Sequence, residues 1–317
     1  MDYARRNPRV VCVTNDLTKS VEADLFRETF PDRYFSLGMA EQNLVGVLSG
    51  LAREGLEPFY PSFSVFVTRR PYEQIALNIA YPNLPVRLIG FLPGLTTPGG
   101  VTHQATDDLS LMTTLPNMTV LSLADATDVE TFTDSLPAID GPVFCRMPRG
   151  EVPRFFDEPF RLGHARVLSE GADICVLSTG AAAPHAARAC ETLSAGGVAV
   201  AHLVISTLKP FDDLRVTEAI ADSPATITVE NHLTRGGLGT AVAELMAEAG
   251  IRTTLRRVGI RDTFTHGGRP PYLFAHYGID AIAVIRAANG LLGTSMTLED
   301  EVVAQHSGPH EDAAEGL

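Results

Sequence analysis

A glutamate stands at the start of an otherwise apolar helical pattern. Glu41 follows a short strand-like run over 34–37 and Gly38, and from Ala40 onward apolar residues recur with the spacing of a helix packed on a sheet. Charged side chains are seldom buried without a partner, and desolvation favours the neutral form of a carboxyl. Two interpretations stay open: an acid that compensates the helix dipole, or a carboxyl that shares a proton with a bound group.

Two phenylalanines and a histidine follow the ends of two further predicted strands. Phe63 and Phe66 could form a wall for a flat heterocycle, although an isolated pair also suits a core. His103 lies in a Gly/Pro/Thr-rich loop, where it could transfer protons, hold a developing oxyanion or be purely structural. Because loops at the carboxyl ends of parallel strands meet on one edge, these residues and Glu41 could share one crevice.

Two other segments have a structural and a functional interpretation each. Arg146 ends the last strand of the first half, where an arginine binds phosphate or carboxylate, or anchors a linker through a salt bridge. The segment 230–241 resembles a dinucleotide fingerprint only superficially, since no acidic residue ends the following strand, 254–258. We therefore favour a glycine-rich helix start that close packing requires.

Strand-like and helix-like segments alternate throughout the chain, which predicts two α/β domains with mainly parallel sheets. The strands expected in the first half are 9–13, 34–37, 58–61, 86–91, 118–123 and 142–147, with helices over 40–53, 71–80 and 125–136, the last capped at Asp125. The second half is expected to contain strands 173–178, 198–204, 225–230 and 254–258, with helices over 182–195, 212–221 and 239–249.

The domain boundary is expected in a segment without sustained periodicity. Residues 149–163 contain two prolines and no repeating pattern, which is typical of a linker. We place the first domain at 1–155, the second at 156–298 and a flexible acidic tail at 299–317.

Composition restricts the partners and the compartment. The 317 residues include 25 basic and 38 acidic side chains, and a net charge of −13 disfavours nucleic acid and anionic membranes as partners. No apolar run approaches the length needed to span a bilayer, so we expect a cytoplasmic protein. The four cysteines lack metal-site spacing and are expected to be buried and reduced.

The ordered motifs resemble the C-terminal half of the transketolase family over about residues 10–290. They are Pro-Asp-Arg-Tyr-Phe-Ser-Leu-Gly-Met-Ala-Glu41-Gln-Asn, Phe63-Ser-Val-Phe66 leading to Arg70-Pro-Tyr-Glu-Gln-Ile, Gly-Gly-Val-Thr-His103-Gln, Leu-Pro-Asn-Met-Thr-Val and Gly-Gly-Leu-Gly-Thr-Ala. The resemblance implies a pyrimidine-binding domain followed by a transketolase C-terminal domain, with thiamine diphosphate as the cofactor.

The resemblance also implies residue roles. Glu41 matches the glutamate that bonds N1′ of the aminopyrimidine and activates the cofactor, while Phe63, Phe66 and Arg70 belong to the cofactor site. His103 matches the active-site histidine near the substrate oxygen, and it is therefore both a catalytic and a substrate residue. Arg146 and Thr14 complete the expected substrate contacts.

A missing motif implies a missing subunit. The family holds Mg²⁺ and the diphosphate with a Gly-Asp-Gly motif followed by asparagine, and no Gly-Asp-Gly occurs here. Since Mg²⁺ requires an oxygen cage, we expect no metal ligand in this chain and a separate diphosphate-binding N-terminal transketolase subunit, as an α2β2 assembly.

The loop before His103 departs from that of sugar-phosphate transketolases. Its polar starting and central positions are replaced by Phe91-Leu92 and Pro98-Gly99-Gly100. The expected reaction is transfer of a short ketol or acyl unit between small ketose, keto acid or aldehyde substrates, with a substrate that is smaller or less hydroxylated than a pentose phosphate. Two alternatives stay open: the β subunit of a 2-oxoacid dehydrogenase-type complex, and a non-catalytic regulatory paralogue.

Overall fold

The computed structural model describes residues 1–298, so the tail predicted at 299–317 lies outside the described residues. Two α/β units follow one another, each built on a mainly parallel sheet, which confirms the predicted fold class. In the described part of the chain the strands are β1 Val10–Thr14, β2 Tyr34–Ser36, β3 Glu57–Phe63, β4 Arg87–Phe91, β5 Thr119–Ser122, β6 Val143–Met147, β7 Arg166–Ser169, β8 Ile174–Ser178, β9 Val200–Val204, β10 Thr207–Lys209, β11 Ala225–Leu233 and β12 Thr254–Ile260.

The helices pack on both sheets. They are α1 Asp2–Arg6, α2 Asp24–Thr29, α3 Glu41–Arg53, α4 Ser64–Thr68, α5 Tyr72–Gln74, α6 Asp108–Thr113, α7 Ala126–Thr131, α8 Ala183–Ala195, α9 Leu214–Ala221, α10 Leu238–Glu248, α11 Pro270–His276 and α12 Ala281–Leu292. The helix expected over 71–80 is instead the short α5 followed by a π-helical turn, Ile75–Ala80. No helix in the described residues is both long and apolar enough to cross a bilayer.

The first sheet places its carboxyl-terminal edge against the second domain. Its strand order is β10-β5-β6-β4-β3-β1-β2, and all neighbours are parallel except β10 and β5. β1 and β6 are buried along their whole length, as expected for strands covered by helices on both faces. The second sheet has the order β12-β11-β8-β9-β7, with β7 antiparallel.

An edge strand of the first sheet comes from the second domain. β10 pairs antiparallel with β5, and the Ser122 amide donates to the Ser206 carbonyl at 2.9 Å. The Lys209 ammonium also reaches the first domain, donating to the carbonyls of Thr113 at 2.9 Å and Leu115 at 2.5 Å. The sequence did not predict this strand, which is only three residues long. The two domains therefore share a sheet.

The segment predicted as a linker contains no helix or strand, but it is fixed to the first domain. One Asp125 carboxylate oxygen accepts from the amides of Phe155 and Phe156, both at 3.1 Å. The other oxygen caps α7 by accepting from the Asp128 amide at 2.8 Å, which confirms the predicted cap. The four cysteines are buried and unpaired, as predicted, and burial raises the pKa of the Cys12 thiol to about 12.

Candidate active site

Three parallel strands of the first sheet deliver the predicted site residues to its carboxyl-terminal edge. Glu41 begins α3 after the β2 strand and a turn at Gly38, whose φ of +70° favours glycine. Phe63 ends β3 and Phe66 lies in α4, directly after it. His103 lies in the loop after β4. Because β2, β3 and β4 run in the same direction, these side chains converge.

Glu41 is a buried carboxylate that pairs with Arg70, a partly exposed arginine. Its exposed fraction is 5%, and its Oε1 accepts from the Arg70 guanidinium at 2.6 Å. The Arg70 side chain is 47% exposed, so the pair is open on the arginine side. The Asn15 amide lies 3.5 Å from the same oxygen and donates to Ser62 Oγ at 3.1 Å. Sequence reasoning missed Asn15, although it directly follows the β1 strand.

A continuous wall connects Glu41 with His103. The Arg70 guanidinium lies 4.0 Å from the ring centroid of Phe66, a cation–π contact. Phe66 stacks on Phe63 with centroids 5.9 Å apart, and the His103 ring meets the Phe66 ring edge-on at 5.3 Å. We call Glu41, Arg70, Phe66, Phe63 and His103 the active-site wall. Their side chains lie together as the sequence predicted, and their chemical roles stay a prediction.

The loop that carries His103 rests on the second domain. The Gln104 side-chain amide donates to the His266 carbonyl at 3.1 Å, and its oxygen accepts from Thr265 Oγ1 at 2.5 Å. A Cβ on Gly99 would lie 2.8 Å from the His103 Cβ, so glycine is required there for the ring to take its place. The His103 Nδ1 lies 2.8 Å from Thr102 Oγ1. The second domain thus positions an active-site loop.

Arg146 lies between the domains rather than in an open substrate site. It is 3% exposed, and its guanidinium donates to Asp108, to the Asn231 carbonyl at 3.0 Å and to the Ala105 carbonyl at 3.2 Å. Burial is the largest single influence and would raise the pKa of Asp108, but the Arg146 charge and hydrogen bonds, with smaller contributions from His232 and Ser64, together hold that pKa below its ordinary value. This geometry favours the anchoring interpretation of Arg146 over phosphate binding.

Arg149, which follows the end of the same strand, is exposed to solvent. Among residues 1–298 the structure gives its guanidinium no ion pair or hydrogen bond. Thr14, the second expected substrate residue, is fully buried, and its hydroxyl shares a hydrogen bond of 2.8 Å with the Tyr34 hydroxyl. The structure therefore does not bring Thr14 or Arg146 to the active-site wall.

The glycine-rich start of α10 serves packing, as we favoured. The Glu230 carboxylate accepts from the amides of Leu238 at 2.8 Å and Gly239 at 2.9 Å. A Cβ on Gly237 would collide with the Glu230 carboxylate, and one on Gly239 would lie 2.7 Å from the Arg257 side chain. Burial raises the pKa of Glu230 to about 7 despite these amides. The carboxylate occupies the helix start where a dinucleotide phosphate would bind.

His232 adds a measurable pH dependence at the same interface. Its Nε2 faces the Ser110 amide at 3.4 Å and its Nδ1 faces the Leu233 carbonyl at 2.7 Å. Burial, reinforced by the Arg146 charge, lowers the pKa of His232 from 6.5 to about 4. Below pH 6.5 the unfolded chain therefore binds a proton that the folded His232 does not, and stability falls as the pH falls.

We expect His232→Gln to weaken this loss of stability on acidification. Between pH 6.5 and pH 4 the His232 contribution amounts to as much as about 3 kcal/mol. Glu230 has the opposite effect on stability, because its raised pKa favours the folded state at lower pH. This effect is present in the wild type and in His232→Gln alike, so it does not alter the difference between them. Urea unfolding at pH 7.5 and pH 5 measures the difference, with the exposed His164→Gln as the control. An unchanged pH dependence in His232→Gln would contradict the assignment.

The fold and the active-site wall define a class of protein: a pyrimidine-binding α/β domain supported by a second α/β domain. Residues 1–154 match the model "Transketolase, pyrimidine binding domain", and residues 163–284 match "Transketolase, C-terminal domain". The chain belongs to the transketolase family and corresponds to the C-terminal subunit of a split transketolase. The family resemblance is confirmed, and the pyrimidine-binding domain implies thiamine diphosphate as the cofactor.

The relatives include proteins of about the same length as this chain and longer enzymes that it matches over about half of their length. The chain is 37% identical to the 6-deoxy-6-sulfo-D-fructose transketolase subunit SqwH of Clostridium sp. (strain MSTE9), over 91% of this chain and 90% of that protein. It is 32% identical to the 1-deoxy-D-xylulose-5-phosphate synthase of Symbiobacterium thermophilum, over 95% of this chain but 46% of that longer enzyme. A solved structure described as "Split gene transketolase, inactive beta4 tetramer" superposes with a TM-score of 0.85 at 36% identity, covering 92% of this chain and 95% of that one.

Proposed function

We propose that this chain is the C-terminal subunit of a split, thiamine diphosphate-dependent transketolase that transfers a short ketol or acyl unit. The observation that carries the proposal is the active-site wall, in which a buried glutamate, a stacked aromatic pair and a histidine lie in one line of contacts. Neither Thr14 nor Arg146 belongs to it. The names of the relatives, which include a transketolase subunit and a split-gene transketolase, support the same assignment.

The wall fits the aminopyrimidine ring of the cofactor. A carboxylate can bond a ring nitrogen, the Asn15 amide and the Ser62 hydroxyl lie beside it, and Phe66 offers a half-buried face. The Tyr60 hydroxyl is buried beside Ser62 and close enough to Glu41 to feel the Glu41 charge. A polar ring placed against this wall would meet both donors and acceptors.

Each wall residue has a separate task in the proposed reaction. When bound, thiamine diphosphate supplies a nucleophilic carbon and an electron sink. Glu41 holds a proton at the pyrimidine ring nitrogen, and the phenylalanines orient the ring and exclude water on that side. His103 stands across the aromatic pair, where its imidazole donates a hydrogen bond to the substrate oxygen that gains negative charge. Arg70 orients the Glu41 carboxylate.

The diphosphate and Mg²⁺ are assigned to a partner subunit. Within residues 1–298 no cluster of three or more His, Cys, Asp or Glu side chains could hold a metal. Three large apolar side chains of the first domain are exposed: Met39, two residues before Glu41, is 74% exposed, Leu77 60% and Tyr81 83%. Exposed apolar side chains of this size are candidates for contacts with a partner subunit. A diphosphate-binding N-terminal subunit that covers this face, as α2β2, would complete the cofactor site.

Leu77→Asp is expected to weaken assembly with that partner by at least about tenfold, because a charge would enter a desolvated interface. Analytical ultracentrifugation of the mixed subunits measures the effect. Leu214→Asp is the matched control, since Leu214 is 73% exposed on α9 of the second domain. Equal affinities for both variants would contradict the proposed face.

The functional alternatives make different predictions. The β subunit of a 2-oxoacid dehydrogenase would support reductive acylation of lipoamide, and a regulatory paralogue would support neither reaction. We therefore expect the reconstituted complex to transfer ketol or acyl units without lipoamide acylation. Tight binding of thiamine diphosphate and Mg²⁺ by this chain alone would refute the split cofactor site.

A further inference from the structure

The loop that carries His103 is held at its start by one side chain of the second domain. Asn231 lies near the end of β11 and is 1% exposed. Its amide oxygen accepts from the Leu95 amide at 2.9 Å, and its amide nitrogen donates to the Pro93 carbonyl at 3.1 Å. The side chain thus bonds the loop as a neighbouring strand would, because it satisfies one backbone donor and one backbone acceptor.

The start of this loop has an unusual backbone conformation. Leu92 has φ +52° and Gly94 has φ +58°. A leucine rarely adopts the left-handed region, so its conformation costs free energy and persists only where the surroundings fix it. A Cβ on Gly94 would lie 2.4 Å from the Asn231 Oδ1, so glycine lets the loop approach the amide. The two hydrogen bonds of Asn231 flank Gly94 and hold this conformation.

Backbone contacts connect the start of the loop with His103. The Gly94 amide donates to the Ala105 carbonyl at 2.9 Å, and the residue before Gly94 forms a β-bridge with Ala105. Ala105 is fully buried and lies two residues after His103. The Arg146 guanidinium donates to the Ala105 carbonyl at 3.2 Å and to the Asn231 carbonyl at 3.0 Å. Asn231 and the backbone beside His103 therefore belong to one hydrogen-bond network.

We propose that Asn231 is a positioning residue, which fixes the His103 imidazole at the active-site wall by holding the backbone of its loop. The His103 Nδ1 lies 2.8 Å from the hydroxyl of Thr102 in the same loop, so the imidazole moves with that backbone. An error of about 1 Å in the position of a catalytic group can cost about a hundredfold in rate. The inference rests on the proposed function, because the role of His103 does.

The first test measures the loop without any catalysis, by hydrogen exchange and mass spectrometry of the full chain alone. We expect Asn231→Ala to speed exchange of the amides within residues 92–105 at least about tenfold, since the loop loses both bonds to the side chain. Asn289→Ala is the matched control. The Asn289 amide also holds a loop, since it accepts from the Met296 amide at 3.0 Å and donates to the Met296 carbonyl at 2.7 Å. This control should leave residues 92–105 at wild-type exchange rates.

The second test measures catalysis in the complex with the partner subunit and thiamine diphosphate. We expect Asn231→Ala to lower kcat/KM for ketol or acyl transfer by about a hundredfold. Proton exchange at C2 of the cofactor should stay within about threefold of wild type, because it depends on Glu41 rather than on His103. In a His103→Ala background the same substitution should cost at most about threefold more, since the imidazole through which it acts is already absent.

Gly94→Ala disturbs the same contact from the loop side. Its Cβ would collide with the Asn231 amide, so we expect the same faster loop exchange and the same loss of kcat/KM. Gly278→Ala is the matched control, because Gly278 has φ +66° and an added Cβ there meets no described atom within 4 Å. It introduces the backbone strain without the collision. This second variant keeps the test decisive if Asn231→Ala does not fold.

Three results would overturn the proposal. Wild-type exchange of the loop amides in Asn231→Ala and Gly94→Ala would show that the amide does not hold the loop. Faster loop exchange with wild-type kcat/KM would show that the held position does not matter for the reaction. Equal losses with and without His103 would show that Asn231 serves stability alone. Absence of transfer by the wild-type complex would instead refute the proposed function, and the loop exchange would still decide whether Asn231 holds the loop.

Discussion

Glu41→Gln is expected to slow proton exchange at C2 of bound thiamine diphosphate by about a thousandfold in the complex with the partner subunit. Glutamine keeps the size of the side chain and one hydrogen-bond acceptor, but it cannot hold the proton at the pyrimidine ring nitrogen. Glu41 is the buried carboxylate of the active-site wall, and its neighbours Arg70 and Asn15 direct hydrogen-bond donors toward it. Neither neighbour could therefore replace the carboxylate as a proton acceptor. Exchange followed by NMR in deuterated buffer gives the rate.

The matched control for this experiment is Glu73→Gln. Glu73 is exposed on α5, close in sequence to Arg70, and its replacement removes the same charge. We expect wild-type exchange in Glu73→Gln and cofactor binding within about tenfold of wild type in both variants. Wild-type exchange in Glu41→Gln would remove this residue from cofactor activation and leave it the dipole-compensating role.

Asp108→Asn is expected to lower the free energy of unfolding by about 3–5 kcal/mol, which is the cost of leaving a buried charge without its partner. Asp108 is fully buried and accepts from Arg146 and from Ser64 Oγ at 2.5 Å. The neutral amide cannot compensate the Arg146 guanidinium, which is 4% exposed. Urea unfolding of the full chain followed by circular dichroism measures the loss.

The neighbouring aspartate provides the control. Asp107 pairs with Arg69, but these side chains are 32% and 31% exposed, so solvent weakens the pair. We expect Asp107→Asn to cost at most about 1 kcal/mol. If the two variants lost similar stability, burial of the Asp108–Arg146 pair would not be the cause of the larger loss expected for Asp108→Asn. Because Arg146 also donates to the Asn231 carbonyl, the loss should appear in both domains at once.

The sequence predicted the active-site wall because its residues follow strand ends at family spacings. The ordering of Glu41, Phe63 and His103 along a parallel sheet is enough to bring them to one edge. Arg70 was expected in the cofactor site through the resemblance, but its ion pair with Glu41 and its stacking on Phe66 depend on rotamers that no spacing reveals. The same limitation applies to Asn15, whose amide reaches Glu41 only in three dimensions.

Arg146 shows why position along a strand does not determine a role. Its place at the end of β6 suits both a phosphate contact and an anchor, and the choice depends on what lies opposite. Asp108 comes from a helix 38 residues earlier, and the Asn231 carbonyl comes from the other domain. Neither contact has a local sequence signal, so long-range packing decided the outcome. Arg149, three residues further on, is exposed to solvent, in contrast to Arg146.

The fold class followed from alternating strand and helix patterns, whereas several elements had no such pattern. The π-helical turn over Ile75–Ala80 keeps the apolar spacing of an α-helix closely enough to be mistaken for one. β7 and β10 are four and three residues long, too short for a periodic signal. Both pair antiparallel at the edges of their sheets, where partners from distant sequence determine the strand.

The β10 strand makes cooperative unfolding of the two domains the expected behaviour. A cut within 149–163 would leave β5 with an unpaired edge in the first fragment and remove β10 from its partner in the second. The fragments would therefore be prone to associate edge to edge, and neither could complete the first sheet alone. A cut at this position would therefore separate two paired strands of one sheet.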